Sequence, residues 1–131
     1  MDLRSAKSFT SFSVDDIGKA KKFYGKTLGL EVQETPMGLE LHLGGGGPPV
    51  FIYPSNDYHP PEHTVLNFVV NDIDEAVDDL VLRGVFMESY DEKDIKTDTK
   101  GIMRSNPGEH GPKAIAWFKD PAGHILSLIA N

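Results

Sequence analysis

The sequence predicts an α+β protein built from two β-α-β-β-β modules, and three observations predict it. One segment occurs twice: Phe12-Ser13-Val14-Asp15-Asp16-Ile17 returns as Phe68-Val69-Val70-Asn71-Asp72-Ile73, and a single offset of 56 residues also superposes Ala20 on Ala76. Each copy passes from strand-like residues through an aspartate to apolar positions at helical spacing. Beyond each helix, glycine and proline cut the chain into strand-length runs. A duplication of this kind places sheets around a shared cavity, where small molecules bind.

The elements follow in order. Lys7 to Val14 alternates, with Thr10, Phe12 and Val14 on one face and Phe9, Ser11 and Ser13 on the other. Asp15 or Asp16 caps a helix whose buried stripe is Ile17, Ala20, Phe23, Tyr24 and Leu28, and Gly29 ends it. Leu30–Thr35 and Met37–Leu43 are strands joined at Pro36. Gly44 to Gly47 form a hairpin turn, lacking the GK[ST] ending and following helix of a phosphate cradle, and Val50–Tyr53 is the fourth strand. In the second half, Val65–Val70 leads to Asp72, with Glu75 placed as in a capping box. The helix buries Ile73, Ala76, Val77, Leu80 and Val81 and stops at Gly84. Val85–Tyr90 is a predicted strand. Residues 91–112 are long, charged and poor in apolar side chains, with strand character only near Gly101 to Arg104. Lys113–Lys119 and Ile125–Ala130 complete the set, hinged at Asp120-Pro121-Ala122-Gly123.

Composition bounds the function. The chain has 131 residues, 39% of them hydrophobic, which suits one domain of two modules, 7–54 and 63–131, joined by a proline-rich linker at 54–62. There are no cysteines, so disulfides and thiolate metal sites are excluded. The net charge of −7 without a basic cluster argues against nucleic acid and anionic membrane as partners. No apolar run approaches the roughly 20 residues that cross a bilayer. The stretch MDLRSAKSF lacks a secretory signal's apolar core, so a cytoplasmic location is expected.

With the elements placed, the chain resembles the vicinal oxygen chelate superfamily, which includes glyoxalase I, extradiol dioxygenases, and fosfomycin and bleomycin resistance proteins. The residues that carry the resemblance are Val14-Asp15-Asp16 leading to Ala20, Phe23-Tyr24 and Leu28-Gly29-Leu30. Val70-Asn71-Asp72-Ile73 with Ala76, Leu80 and Gly84, and Phe118-Lys119-Asp120-Pro121-Ala122-Gly123-His124, complete it. It implies a glyoxalase/bleomycin resistance-type fold, each module curling a mixed sheet around a ligand cavity, in a homodimer whose site lies within one chain or across two. It also implies where metal ligands stand in metal-dependent members: a histidine on the first strand of each module, a glutamate on the last strand and, in glyoxalase-type sites, a glutamate on the fourth. Those positions here are Phe9, Val65 and Ser127, and Val50–Tyr53 holds no acid. Phenylalanine and valine offer a cation no lone pair, and a lone serine hydroxyl is a weak ligand. The expectation is a member without metal or other cofactor, nearer the bleomycin resistance type and not a working glyoxalase I.

Strand alternation puts Ser11 and Ser13 on the face of Phe9, Asn67 and Val69 on that of Val65, and Trp117 opposite a helix-packed Phe118. The predicted pocket is Phe9, Ser11, Ser13, Tyr53, Val65, Asn67, Trp117 and Ser127, a lining suited to an apolar or aromatic small molecule. Two alternatives stand beside simple binding. Glu40, His42 and His63 could form a displaced metal set for a lyase or dioxygenase. Tyr53, His63 or Glu40 could serve as acid and base in a metal-free isomerase or hydrolase. Structural roles compete for other residues: Tyr24 belongs in the core, His124 in an exposed turn, and His110 on the surface. His59 and His63 lie four apart on a proline-broken segment, where that spacing has no helical meaning. Arg104 is either a clamp for an anionic substrate or a solvated loop charge.

Overall fold

The structure, a computed structural model, describes residues 1–105 and 111–131; His110 lies outside the described residues. The chain forms two compact units, Met1–Pro60 and Pro61–Asn131. In the first unit the order is β1 (Thr10–Val14), α1 (Ile17–Lys21) running on into a π-helical segment (Lys22–Thr27), β2 (Glu31–Thr35), β3 (Gly38–His42) and β4 (Val50–Pro54). The second unit contains β5 (Thr64–Val69), α2 (Ile73–Leu82), β6 (Ile102–Arg104), β7 (Ala114–Lys119) and β8 (Ile125–Ala130). The sheets have orders β1-β4-β3-β2 and β5-β8-β7-β6, so in each unit the first strand lies beside the last. Both of those pairs, β1 with β4 and β5 with β8, are parallel, and the others are antiparallel. The repeat in the sequence is therefore a repeat of topology. The sheets are open mixed sheets, not closed and less curled than the resemblance implied.

The two repeated aspartates do the same work. Asp16 Oδ1 accepts a hydrogen bond from the Lys19 amide at 3.0 Å, and Asp72 Oδ1 accepts one from the Glu75 amide at 3.1 Å. Their backbones match closely, at φ −132°, ψ 104° and φ −129°, ψ 107°. Each carboxylate satisfies an amide that the helix itself leaves without a partner. At the far end of α2, Gly84 takes a positive φ of 87°. Its amide bonds to Val81 O and the Val85 amide to Leu80 O, both at 3.0 Å, a Schellman ending that turns Val85 into the core.

Alternation then decides each sheet's buried face. Val14, Leu39, Leu41, Val50 and Ile52 are buried with Ala20 and Tyr24 of the first helical segment. Leu126, Leu128, Ala116, Phe118 and Ile102 are buried with Ile73, Val77 and Leu80 of α2. Tyr24 is fully buried, as expected, and packs edge-on to Phe23 at 5.1 Å. The faces turned away from the helices carry Ser11, Ser13 and Tyr53 in the first unit and Asn67, Trp117 and Ser127 in the second.

Several expectations need correction. The first strand begins at Thr10, not Lys7. Thr10 is opposite Val50, and the residues before Val50 are Pro48 and Pro49, which have no amide hydrogen to extend a ladder. The first helix widens into a π turn. Ala20, Tyr24 and Leu28 are spaced by four, more than an α-turn's 3.6, and the wider turn holds that spacing on one side. Val85–Tyr90 is not a strand: β6 occupies the edge of β7 at Ala114 to Ala116, leaving only a Met87–Phe118 bridge and a Glu88 N–H to Trp117 O bond at 2.9 Å. His124 is buried, 2% exposed, rather than solvated in its turn. Asp120 causes this, because its Oδ1 accepts from the amides of Ala122 and His124 at 3.0 and 2.8 Å and draws the turn inward.

The stretch after Val85 is more ordered than its composition suggests. Tyr90 and Thr97 exchange backbone and side-chain hydrogen bonds across a turn closed by an Asp91–Lys96 bridge. Asp98 Oδ1 then accepts from the amides of Lys100 and Ile102, both at 2.9 Å, and starts β6.

Candidate functional site

The open face of the first sheet carries a row of aromatic rings. Ser11 stands opposite Phe51 and Ser13 opposite Tyr53, and Phe51 is flanked on its other side by Glu40. Phe9, just before β1, meets Phe51 edge-on with centroids 6.4 Å apart, and Phe51 stacks on Tyr53 at 6.2 Å and 18°. Phe9 is 67% exposed and Tyr53 40%, although both are large aromatic side chains. Exposed rings stacked along one face are the kind of apolar patch that usually marks a binding surface. Phe51 was missing from the predicted pocket. The signal was present, since it lies two residues from Tyr53 on one strand and so shares its face.

Glu40 and His42 also stand on this face. His42 Nε2 lies 3.4 Å from Glu40 Oε2, yet that nitrogen is buried and forms no hydrogen bond among the described residues. The distance admits an ion pair when the imidazole is protonated, while the direction does not suit a hydrogen bond. His63, the third member of the displaced metal set, belongs to the other unit, where it is exposed ahead of β5.

The open face of the second sheet is polar at its centre and aliphatic beside it. Asn67, Ser127 and Trp117 form one cross-strand row, and Val69, Ile129, Ile115 and Met103 form the next. Ser127 is buried, 1% exposed, and its hydroxyl donates to Asn67 Oδ1. Trp117 faces opposite to the buried Phe118, as predicted, and Tyr90 packs edge-on to it at 5.5 Å and 86°. Val65 departs from the expectation: a bulge between Thr64 and Leu66 leaves it without a partner on β8, and Thr64 is opposite Ile125. A bulge cannot be read from alternation alone.

Arg104, though exposed, is engaged in ion pairs rather than free in solvent. Its Nη2 grips both carboxylate oxygens of Asp74 on α2, at 2.8 and 3.0 Å. Lys100 Nζ joins from 3.1 Å on Asp74 and 2.9 Å on Asp78. Hydrogen bonds from Lys100 and then Arg104 hold the Asp74 carboxyl below the usual carboxylate range, and Asp78 and Asp74 raise the Lys100 ammonium in turn. This cluster clasps β6 and its preceding loop to α2.

The residues at the implied metal positions do not fit a cation. Phe9 and Val65 have no donor atoms, and the lone neutral Ser127 hydroxyl, buried beside Asn67, is a weak ligand. Glu40 and His42 supply two donors where a stable site needs three or four. Among the described residues no three histidine, aspartate or glutamate side chains converge. Two hollows in the surface run beside α2: one of about 790 Å³ at Asp72, Glu75 and Asp79, and one of about 610 Å³ at Val81, Val85 and Phe86. Neither includes a residue of the predicted pocket.

Comparison with known proteins agrees with this topology. The model of the Glyoxalase/Bleomycin resistance protein/Dioxygenase superfamily matches residues 8–128. The chain belongs to this superfamily. Among solved structures of the same fold is TnmS3, an antibiotic binding protein from Streptomyces sp. CB03234, at 22% identity and TM-score 0.67, covering 99% of this chain and 98% of that one. The fosfomycin resistance protein FosX from Listeria monocytogenes matches at 17% identity and TM-score 0.69, over 97% and 93% of the two chains. A superfamily member from Sphaerobacter thermophilus DSM 20745 is 25% identical, with TM-score 0.67 and coverage of 97% and 98%. No curated protein matches the chain. The superfamily hosts binding proteins and unrelated reactions on one scaffold, so activity has to be argued from side chains. No helix among the described residues is long and apolar enough to cross a membrane.

Proposed function

We propose that this chain binds an apolar or aromatic small molecule without a metal ion, using the open faces of its sheets. The observation that carries the proposal is the uncovered row Phe9, Phe51 and Tyr53; the family resemblance, which implies a histidine at the Phe9 position in metal-dependent members, supports it. Stacked rings give a ligand a large apolar contact at little conformational cost. Ser11 and Ser13 supply sparse polar contacts on that face, and Asn67, Trp117 and Ser127 do so on the separate face of the second unit. Val65 remains in the proposed lining at the edge of the second face. The superfamily includes an antibiotic binding protein and a fosfomycin resistance protein, which makes sequestration of a toxic compound the favoured role. We further expect a cytoplasmic homodimer with no glyoxalase I activity; light scattering and turnover of the methylglyoxal–glutathione hemithioacetal test the last two points.

The direct test is a thermal-shift screen of aromatic and amphipathic compounds, in buffer and again with a chelator. A ligand that binds the native state raises the melting temperature by mass action. Shifts should appear, survive the chelator, and shrink in Phe9→Ala. A screen without shifts, or shifts abolished by chelation, refutes the proposal. A second reading, acid–base catalysis without metal, has the Glu40–His42 pair in its favour. It requires an activity that Glu40→Gln abolishes while ligand-induced melting shifts persist.

A further inference from the structure

Tyr90 holds a position that nothing in the sequence pattern singled out. Its ring stands edge-on to Trp117, the only tryptophan of the chain, and so borders the Asn67–Ser127–Trp117 row. Its backbone is fixed on both sides. The Tyr90 amide donates to Thr97 Oγ1 at 2.9 Å, and the Thr97 amide donates to Tyr90 O at 3.0 Å. Two residues earlier, the Glu88 amide donates to Trp117 O and ties the segment to the edge of β7. The ring is thus held in place before any ligand arrives, which lowers the ordering cost of binding.

The phenol has chemistry to spare. Among the described residues its hydroxyl makes no hydrogen bond, although Tyr90 is only partly exposed. Burial, then the Glu88 and Glu92 carboxylates, raise the Tyr90 pKa above its usual value, so at neutral pH the group is a donor. The same two carboxylates repel an anion approaching that hydroxyl.

We propose that Tyr90 is a specificity-determining residue, whose phenol donates a hydrogen bond to an uncharged acceptor on an aromatic ligand seated against Trp117. This rests on the small-molecule binding function proposed above and narrows it: the preferred ligand carries a carbonyl or ether oxygen on its aromatic body, and carboxylates are disfavoured.

Three naphthalenes of similar shape test it: acetylnaphthalene has a neutral acceptor, naphthoate a charged one, and ethylnaphthalene none. Binding is followed by calorimetry and by quenching of Trp117 fluorescence. Wild-type protein should prefer acetylnaphthalene to the other two. Tyr90→Phe keeps the ring and should weaken acetylnaphthalene about three- to tenfold, the worth of one net hydrogen bond, and leave ethylnaphthalene unchanged. Glu88→Gln leaves the backbone tie intact and should tighten naphthoate selectively, an arm that stands even if Tyr90→Phe folds poorly. Equal binding of acetylnaphthalene by wild type and Tyr90→Phe overturns the role of Tyr90 alone. Wild-type protein that binds none of the three overturns both this inference and the binding function beneath it.

Discussion

Gly38 sets the spacing of the strands that present the aromatic row, and replacing it by alanine should be costly. A Cβ built at Gly38 would lie 2.1 Å from the Ile52 carbonyl oxygen and 3.1 Å from Tyr53 Cα. Both atoms are backbone, so no side chain can swing aside. Relief requires β3 to move about 1 Å from β4, beginning at the Leu39–Ile52 pair. Overpacking of this kind costs about 1–3 kcal/mol, and weakening one or two ladder hydrogen bonds adds roughly 1 kcal/mol each. The total of about 2–5 kcal/mol, at roughly 3–6 °C per kcal/mol for a chain of this size, lowers the melting temperature by about 6–30 °C. Differential scanning calorimetry of Gly38→Ala beside Gly44→Ala decides the matter. A Cβ added at Gly44 would meet no atom within 4 Å, so that variant should melt like wild type. If Gly38→Ala melts within about 2 °C of wild type, the close strand approach is not a real constraint and the reasoning fails.

Other outcomes are equally open to measurement. Asp120→Ala strands two buried amides, those of Ala122 and His124, and should cost about 2–4 kcal/mol by chemical denaturation; a loss under about 0.5 kcal/mol would mean that solvent reaches the turn. Because the folded-state pKa of Asp74 is depressed, its contribution to stability is present above the unfolded value near 3.9 and disappears as pH falls through the folded value. Asp74→Asn should therefore narrow the stability difference between pH 5 and pH 2, and an unchanged pH profile would show that the clasp to Lys100 and Arg104 is not populated. The raised pKa of Lys100 acts in the opposite sense: its contribution is complete below the unfolded value near 10.4 and is lost as pH rises through the folded value, which Lys100→Met should remove from an alkaline titration. Chelator treatment of the purified protein should leave its melting temperature unchanged, whereas a drop reversed by a divalent cation would place a metal in the fold.

The sequence by itself determined the duplication, the helix caps and most of the buried faces, because these depend on local chemistry; Val81, expected on the buried stripe of α2, is instead 53% exposed. An aspartate next to a strand end can reach an amide three residues on, and alternation assigns each side chain of a regular strand to a face without reference to anything distant. That is why Asp16, Asp72, Tyr24 and the opposed Trp117 and Phe118 stand where they were expected. Tertiary structure decided whatever depended on a partner far along the chain. The bulge at Val65 exists only in relation to β8, and the failure of Val85–Tyr90 as a strand follows from β6 already holding the edge of β7. Arg104 found Asp74 thirty residues away, and Asp120 pulled His124 inside. Tyr90 reached Trp117 for the same reason: hydrogen-bond geometry and edge occupancy, not propensity, choose between partners that are equally acceptable to the local sequence.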